Sequence, residues 1–239
     1  MKKIIPNSIT CCNLISGCIA TTYAFIGDPR MALLWIIIGA VFDFFDGMSA
    51  RLLKVSSPIG KELDSLADDV TFGVAPSTMI FWQLGVLDDY SFLEPVHAFV
   101  PYFAFIMAAF SALRLAKFNL DTRQTTSFIG LPTPANALFW GSLIVFCPSW
   151  LVNSSASPLI IIAMVCVSSY LLISEIPMFA LKFKQWGWKG NEVKYVFVAL
   201  AVASFIGFTI FEGIIGCLEA WWFIIALYLI ISIGLFVKK

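Results

Sequence analysis

The sequence predicts an all-α membrane protein, a polytopic bundle of about eight transmembrane helices. Of its 239 residues, 60% are hydrophobic and 13% are charged, whereas soluble domains average about 45–50% apolar and about 25% charged residues. The mean hydropathy is +0.91, and apolar stretches of membrane-spanning length recur along the chain. These observations exclude a soluble globular enzyme. The formal net charge of zero gives no overall field that would attract nucleic acid, so we expect no nucleic-acid partner.

Eight segments are long and apolar enough to cross a hydrocarbon core of about 30 Å. They cover about residues 5–27, 30–53, 62–87, 95–118, 132–150, 156–181, 193–212 and 217–237. We expect the first segment to be a membrane span and not a cleaved signal peptide, because it begins with polar residues and proline and has no small-residue cleavage site. Short connections join the segments, so we expect residues 1–239 to form a single integral-membrane domain.

Basic residues predict the orientation of the bundle. With eight spans, fourteen fall on one side: Lys2, Lys3, Arg51, Lys54, Lys61, Arg114, Lys117, Arg123, Lys182, Lys184, Lys189, Lys194, Lys238 and Lys239. Only Arg30 falls on the other side. Cytoplasmic loops carry the excess of Lys and Arg, so we expect a multi-pass protein of the cell membrane with both termini in the cytoplasm.

The cysteines do not indicate a disulfide framework or a zinc site. All six lie in apolar stretches without a Cys-x-x-Cys pair or a histidine cluster: Cys11, Cys12, Cys18, Cys147, Cys166 and Cys217. Buried, unpaired thiols are the better interpretation.

Four carboxylates stand where lipid-facing residues are expected, near the end of the second span and the start of the third: Asp43, Asp46, Asp64 and Asp68. Charged groups within a span cost a few kcal/mol and usually face a polar cavity. At about 100° per residue, the first pair shares a narrow helical arc with Gly47 and Ala50. The second pair continues a stripe that begins at Gly60. Two adjacent antiparallel helices therefore present all four acids to one pocket at the cytoplasmic end.

The chemistry of this pocket favours hard divalent cations. Four close carboxylates repel one another unless cations neutralise them, and oxygen ligands without His or Cys suit Mg²⁺ or Mn²⁺. Two such ions can bind a pyrophosphate between them. The small Gly47 and Ala50 let an extended ligand approach the backbone, and the Arg51 guanidinium offers donors suited to phosphate.

The acids allow two other interpretations. In the first, they are solvated charges at a helix end, which six spaced residues on two consecutive helices make improbable. In the second, they line the path of a divalent-cation transporter, but transport favours acids spread across the membrane depth. Glu62 and Asp69 lie off the stripe, so we expect them to be surface or supporting groups. Glu175, deep in the sixth predicted span, pairs within the bundle or contacts a polar substrate.

The acidic pattern resembles the signature of the CDP-alcohol phosphatidyltransferases without a departure: Asp43-x2-Asp46-Gly47-x2-Ala50-Arg51-x8-Gly60-x3-Asp64-x3-Asp68. The resemblance implies that the four aspartates bind two ions, Mg²⁺ or Mn²⁺, and that Asp68 also acts as the catalytic base. It further implies a homodimer and a six-helix core, here about residues 1–185. The two helices in about residues 190–239 would be additions to that core.

The first helix adds to this resemblance, because residues 6–10 look like the opening segment of the family, which contacts the cytidine nucleotide. The resemblance implies that one set of residues contacts CDP-diacylglycerol: Asn7, Thr10, Gly47, Ala50, Arg51, Ser57 and Gly60.

Three further segments, 63–76, 112–119 and 128–134, are similar to the phosphatidylserine synthase branch of the family. That branch transfers the phosphatidyl group of CDP-diacylglycerol to the hydroxyl of L-serine and releases CMP. Because serine is a zwitterion, its carboxylate needs a cation, and Arg114, Lys117 and Asn119 are candidates for its site. Arg114 and Lys117 could equally be ordinary membrane-end anchors, and the branch more often has Arg where Lys117 stands. The same chemistry with glycerol 3-phosphate, an inositol compound or choline is the alternative.

Overall fold

A computed structural model of the chain describes residues 2–87, 94–121, 128–179, 187–188 and 190–237. Its helices are α1 (Ile4–Phe25), α2 (Pro29–Leu53), α3 (Pro58–Asp68), α4 (Ala75–Gly85), α5 (Phe105–Leu120), α6 (Thr133–Phe146), α7 (Ser149–Val152), α8 (Ser157–Ile173), α9 (Glu192–Glu212) and α10 (Gly216–Val237). A π-helical segment, Asp69–Val74, joins α3 to α4. A 3₁₀ segment, Glu94–Ala104, leads into α5, and another, Gly213–Ile215, joins α9 to α10.

Four of these helical stretches are long and apolar enough to cross a membrane, and α6 and α8 are shorter apolar helices. The predicted all-α, multi-pass membrane bundle is therefore confirmed. The helical segments of the described residues follow the predicted spans in order, with α3, the π-helical segment and α4 together forming the third. The local sequence determines where α2 and α3 begin. Asp28 and Ser57 accept hydrogen bonds from Met31 N and Gly60 N, both at 3.0 Å, and each is followed by a proline, as is usual at helix starts.

The first two helices pack closely against the π-helical segment. A Cβ added to Gly17 or Gly39 would collide with Thr71, so both glycines allow the backbones to approach. The Thr71 hydroxyl donates to the carbonyl oxygen of Asn13 at 3.0 Å. This contact joins α1 to the segment that directly follows Asp68.

Basic side chains gather at one end of the bundle, called the basic end below. Lys3, just before α1, and Lys61 of α3 line one cavity there together with Ala50 of α2. The Lys61 ammonium donates to Asn119 O at the end of α5 at 2.6 Å. Several bases of the predicted asymmetry lie outside the described residues: Arg123, Lys182, Lys184, Lys189, Lys238 and Lys239.

The sixth predicted span is wrong at its end. The helix α8 stops at Ile173 instead of continuing to 181, and Pro177–Met178 forms a short strand, β2, antiparallel to β1 (Phe128–Ile129). Proline at 177 has no amide hydrogen for a helix and disfavours helical backbone before it. Glu175 is therefore not deep in a span but exposed on the connection after α8.

The cysteines are unpaired, as predicted, but they are not buried. Cys12 is half-buried, and the other five are exposed on the surface of the bundle. Their positions in apolar helices made burial in the core a reasonable expectation, yet in a membrane the apolar surface of a bundle faces lipid.

Candidate active site

Three aspartates meet at the basic end of the bundle. Asp43 comes from α2, while Asp64 and Asp68 come from successive turns of α3. Each is half-buried, and one carboxylate oxygen of each lies within 4.8 Å of those of the other two. The two predicted helical stripes do face each other, as the spacing of the acids required.

The fourth predicted aspartate is tied to the first helix. Asp46 is buried, and its Oδ2 lies 2.6 Å from the hydroxyl of Thr10. That hydroxyl also lies 3.0 Å from Pro6 O, so its single proton serves one acceptor at a time. Asp46 lines a cavity together with Asp64. The structure thus brings three of the four acids into one close cluster and places the fourth beside it.

Asn13 of α1 holds Asp68, a contact that the sequence analysis missed. Its Nδ2 donates to Asp68 Oδ1 at 3.0 Å, and the residue is fully buried. Its own Oδ1 is buried without a hydrogen-bond partner. One signal was available, because Thr10, Asn13 and Ser16 repeat every three residues and place polar groups on one face of an otherwise apolar helix.

A cavity of about 270 Å³ opens beside the aspartates. Six of the seven residues predicted to contact CDP-diacylglycerol line it: Asn7, Thr10, Gly47, Ala50, Ser57 and Gly60. The seventh, Arg51, is exposed and is not among the lining residues. A Cβ added to Gly47 would meet nothing within 4 Å, so the backbone there is open to a ligand. Lys3 and Lys61 also line the cavity, and sequence reasoning missed both of these cations.

Two of the predicted contact residues also have structural roles. Ser57 Oγ accepts the Gly60 amide at the start of α3. Asn119 Nδ2 donates to Ser65 Oγ at 2.8 Å, and its carbonyl accepts from Lys61. The Asn119 side chain therefore links α5 to α3.

The other two candidate serine contacts lie at a second, smaller cavity. Arg114 and Lys117 of α5 line a space of about 40 Å³ together with Ser174 and Glu175. Arg114 is only 7% exposed, and its Cζ lies 5.4 Å from the centre of the Phe118 ring. It interacts electrostatically with Asp68. A buried cation that lines this second cavity thus also interacts with the acidic cluster.

The two acids predicted to lie off the stripe are outside the cluster. Glu62 is exposed. Asp69 is half-buried and turns toward α5, where its Oδ1 and the hydroxyl of Ser111 both approach Gly73.

The donor set fits a hard divalent cation. Carboxylate oxygens alone form the cluster, and no His or Cys joins it among the described residues. Mg²⁺ and Mn²⁺ prefer such oxygen ligands, and a cation would relieve the repulsion among the three acids.

Comparison with known proteins gives the family. The sequence model of the CDP-alcohol phosphatidyltransferases matches residues 3–181 of this chain. The chain belongs to the CDP-alcohol phosphatidyltransferase family. All three aspartates of the cluster and both cavities lie within residues 3–181, whereas the whole of α9 and α10 lies beyond them.

Several relatives within this family are named CDP-diacylglycerol–serine O-phosphatidyltransferase. One from Bacillus subtilis (strain 168) is 35% identical over 176 residues, covering 72% of this chain and 88% of the relative. One from Helicobacter pylori (strain ATCC 700392 / 26695) is 28% identical over 221 residues, covering 89% of this chain and 90% of the relative. One from Methanocaldococcus jannaschii is 35% identical over 175 residues, covering 71% of this chain and 76% of the relative.

Proposed function

We propose that this phosphatidyltransferase transfers the phosphatidyl group of CDP-diacylglycerol to the hydroxyl of L-serine, giving phosphatidylserine and CMP. The observation that carries the reaction is the acidic cluster of Asp43, Asp64 and Asp68 beside a cavity lined by small residues and lysines. The acceptor is supported by the names of relatives in bacteria and archaea.

The cavity is proposed to bind the cytidine diphosphate. Lys3 and Lys61 provide positive charge for the pyrophosphate, and Gly47 lets it approach the α2 backbone. The proposed contacts also include the lining residues Asn7, Thr10, Ala50, Ser57 and Gly60, and the exposed Arg51, which follows Ala50 in the chain. The acyl chains would remain among the membrane-facing helices.

Divalent cations are proposed to be bound by Asp43, Asp46, Asp64 and Asp68. When bound, two ions, Mg²⁺ or Mn²⁺, would neutralise the pyrophosphate and stabilise the charge that develops on the departing CMP. The cluster of three acids supports a binding position for one cation. Asp46, which lines the adjoining cavity, supports a position for the second.

Asp68 is proposed to be the base. Asn13 fixes its carboxylate through Oδ1, so the orientation of the acid is set before substrate binds. Asp68 removes the proton from the serine hydroxyl, and the serine oxygen attacks the phosphorus that carries diacylglycerol. A new P–O bond to serine forms as the P–O bond to CMP breaks. Arg114 and Lys117 are proposed to attract the serine carboxylate, with Asn119 holding α5 against α3.

The proposed setting is a homodimer in the cell membrane, with the termini and the active site on the cytoplasmic side. The described part of the chain supports a single domain, because α10 packs against α6 of the core. The mass of the purified protein in detergent would test the dimer.

Acceptor competition tests the function directly. Purified protein is given CDP-diacylglycerol with L-serine, glycerol 3-phosphate, inositol or choline, and CMP release is measured. We expect release to depend on L-serine. Release that depends on another acceptor would replace serine in the proposal while keeping the chemistry.

Removal of metal tests the role of the acidic cluster. Excess chelator should abolish serine-dependent CMP release, and Mg²⁺ or Mn²⁺ should restore it, because the clustered carboxylates need hard cations. Asp64→Asn should raise the metal concentration needed for half-maximal activity, while the exposed Glu62→Gln should not. Full activity in excess chelator would contradict the two-metal proposal.

A further inference from the structure

The helical hairpin formed by α9 and α10 packs against residues 174–179, an extended segment that follows α8. The hydroxyl of Tyr228 on α10 donates to the carbonyl oxygen of Phe179 at 3.0 Å. The Phe179 ring lies 4.8 Å from the Tyr228 ring and 5.4 Å from the ring of Phe197 on α9, measured between centroids. Tyr228 is 8% exposed, so this contact lies inside the bundle. Both helices of the hairpin thus fix the end of the segment.

The other side of the same segment is hydrogen-bonded to the residues that precede α6. Gly130 N donates to Ile176 O at 2.9 Å, and β1 pairs with Pro177–Met178. Gly130 has φ +75°, and a Cβ there would meet Leu172 O at 2.7 Å. Residues 174–179 are therefore clamped between the turn before α6 and the C-terminal hairpin.

The beginning of this segment forms a wall of the Arg114 cavity. Ser174 and Glu175 face the same small space as Arg114 and Lys117. Arg114, which is buried, interacts electrostatically with Asp68 of the acidic cluster. The segment therefore connects the hairpin, through Phe179, to the cavity that Arg114 lines, through Ser174 and Glu175.

We infer that Tyr228 is a positioning residue for the acceptor site, because it holds residues 174–179 against Arg114. This inference rests on the proposed function, and it assigns the C-terminal hairpin, which begins beyond the residues matched by the family model, a part in acceptor binding. The chemistry suits a zwitterionic amino acid. Arg114 and Lys117 attract its carboxylate, and the side-chain oxygens of Ser174 and Glu175 accept from its ammonium.

The test is the Tyr228→Phe variant of the full-length protein, which keeps the ring and removes one hydrogen bond. CMP release is measured against L-serine concentration at saturating CDP-diacylglycerol. We expect the KM for serine to rise about three- to tenfold, the effect of one hydrogen bond, with a smaller change in kcat and an unchanged KM for CDP-diacylglycerol. A general packing defect would instead lower the active fraction, and hence kcat, without moving the serine KM.

Tyr170→Phe is the matched control, because Tyr170 on α8 is 63% exposed; its serine KM should equal that of the wild type. If Tyr228→Phe does not fold, Phe197→Leu loosens the same ring cluster and should raise the serine KM in the same direction. An active Tyr228→Phe enzyme with an unchanged serine KM overturns the inference alone. A wild type without serine-dependent CMP release overturns the proposed function and the inference with it.

Discussion

At the residue scale, Asp68 and Asp69 are neighbours in sequence, but their side chains contact different parts of the bundle. Asp68 belongs to the acidic cluster and is held by Asn13, whereas Asp69 turns toward α5 beside Ser111. Asp68→Asn should lower turnover by about 10²–10⁴-fold, the usual contribution of a general base, with CDP-diacylglycerol binding largely retained. Asp69→Asn should stay within about tenfold, or ~1.4 kcal/mol of barrier. Steady-state CMP release and a binding assay with CDP-diacylglycerol check both variants. The reverse ranking would make the base assignment wrong.

Asn13 offers a second prediction at this scale. Asn13→Ala removes the hydrogen bond to Asp68 Oδ1, and loss of a group that orients a metal ligand typically costs 10–100-fold in metal affinity or activity. We expect the Mg²⁺ or Mn²⁺ concentration for half-maximal activity to rise by about that factor. The neighbouring Cys12→Ala serves as control, because Cys12 is half-buried and unpaired. An unchanged metal requirement in Asn13→Ala would show that Asp68 is oriented without it.

The acids of the site were predictable because they lie on helices, where spacing in sequence fixes direction. Asp43, Asp64 and Asp68 follow that rule. Lys3 and Lys61 were missed because their common cavity depends on how three helix ends meet, which no spacing within one helix reveals. The pairing of Asp46 with Thr10, 36 positions apart, is also a tertiary contact.

At the element scale, the turn before α6 depends on glycine. Gly130 has φ +75°, and an added Cβ would meet the carbonyl oxygens of Leu172 and Ser174 at 2.7 and 2.9 Å. Left-handed backbone alone costs a non-glycine residue about 1–3 kcal/mol. Gly130→Ala should therefore lower the apparent Tm by several degrees, at about 2–4 °C per kcal/mol. Gly85→Ala, where nothing lies within 4 Å, should leave it nearly unchanged. Equal melting temperatures for the two variants in a thermal unfolding assay would contradict this.

The same region explains the one large error in the predicted helices. Residues 174–181 are apolar enough to extend the sixth span by composition, but Pro177 interrupts the helix and the backbone finds other partners. Gly130 and Leu131 donate to Ile176 and Leu171. Hydropathy reports how favourably side chains transfer from water to an apolar phase. It therefore cannot distinguish a helix from a short extended stretch whose backbone hydrogen bonds are made with a neighbouring turn.

At the scale of the whole molecule, the fold was predictable because a bilayer permits few solutions. Backbone groups in lipid must be satisfied within each segment, so long apolar stretches become helices, and the order of the described helices follows the predicted spans. The pairs of helices that contact each other could not be predicted, because most helices of the bundle carry similar apolar side chains on several faces. The contacts of α10 with α6 and with residues 177–178 therefore emerged only from the structure.

The orientation of the bundle remains a prediction that labelling can decide. Lys54 lies just after α2 at the basic end, and Arg30 lies at the start of the same helix at the other end; both are exposed. Because Lys and Arg are concentrated on the cytoplasmic side of membrane proteins, we expect Lys54 to face the cytoplasm. In a background with the six native cysteines replaced, Arg30→Cys should react with a membrane-impermeant maleimide in right-side-out vesicles. Lys54→Cys should react only in inverted or permeabilised vesicles. The opposite labelling pattern would place the acidic cluster on the outer face, away from a cytoplasmic supply of serine, and would overturn the proposed orientation.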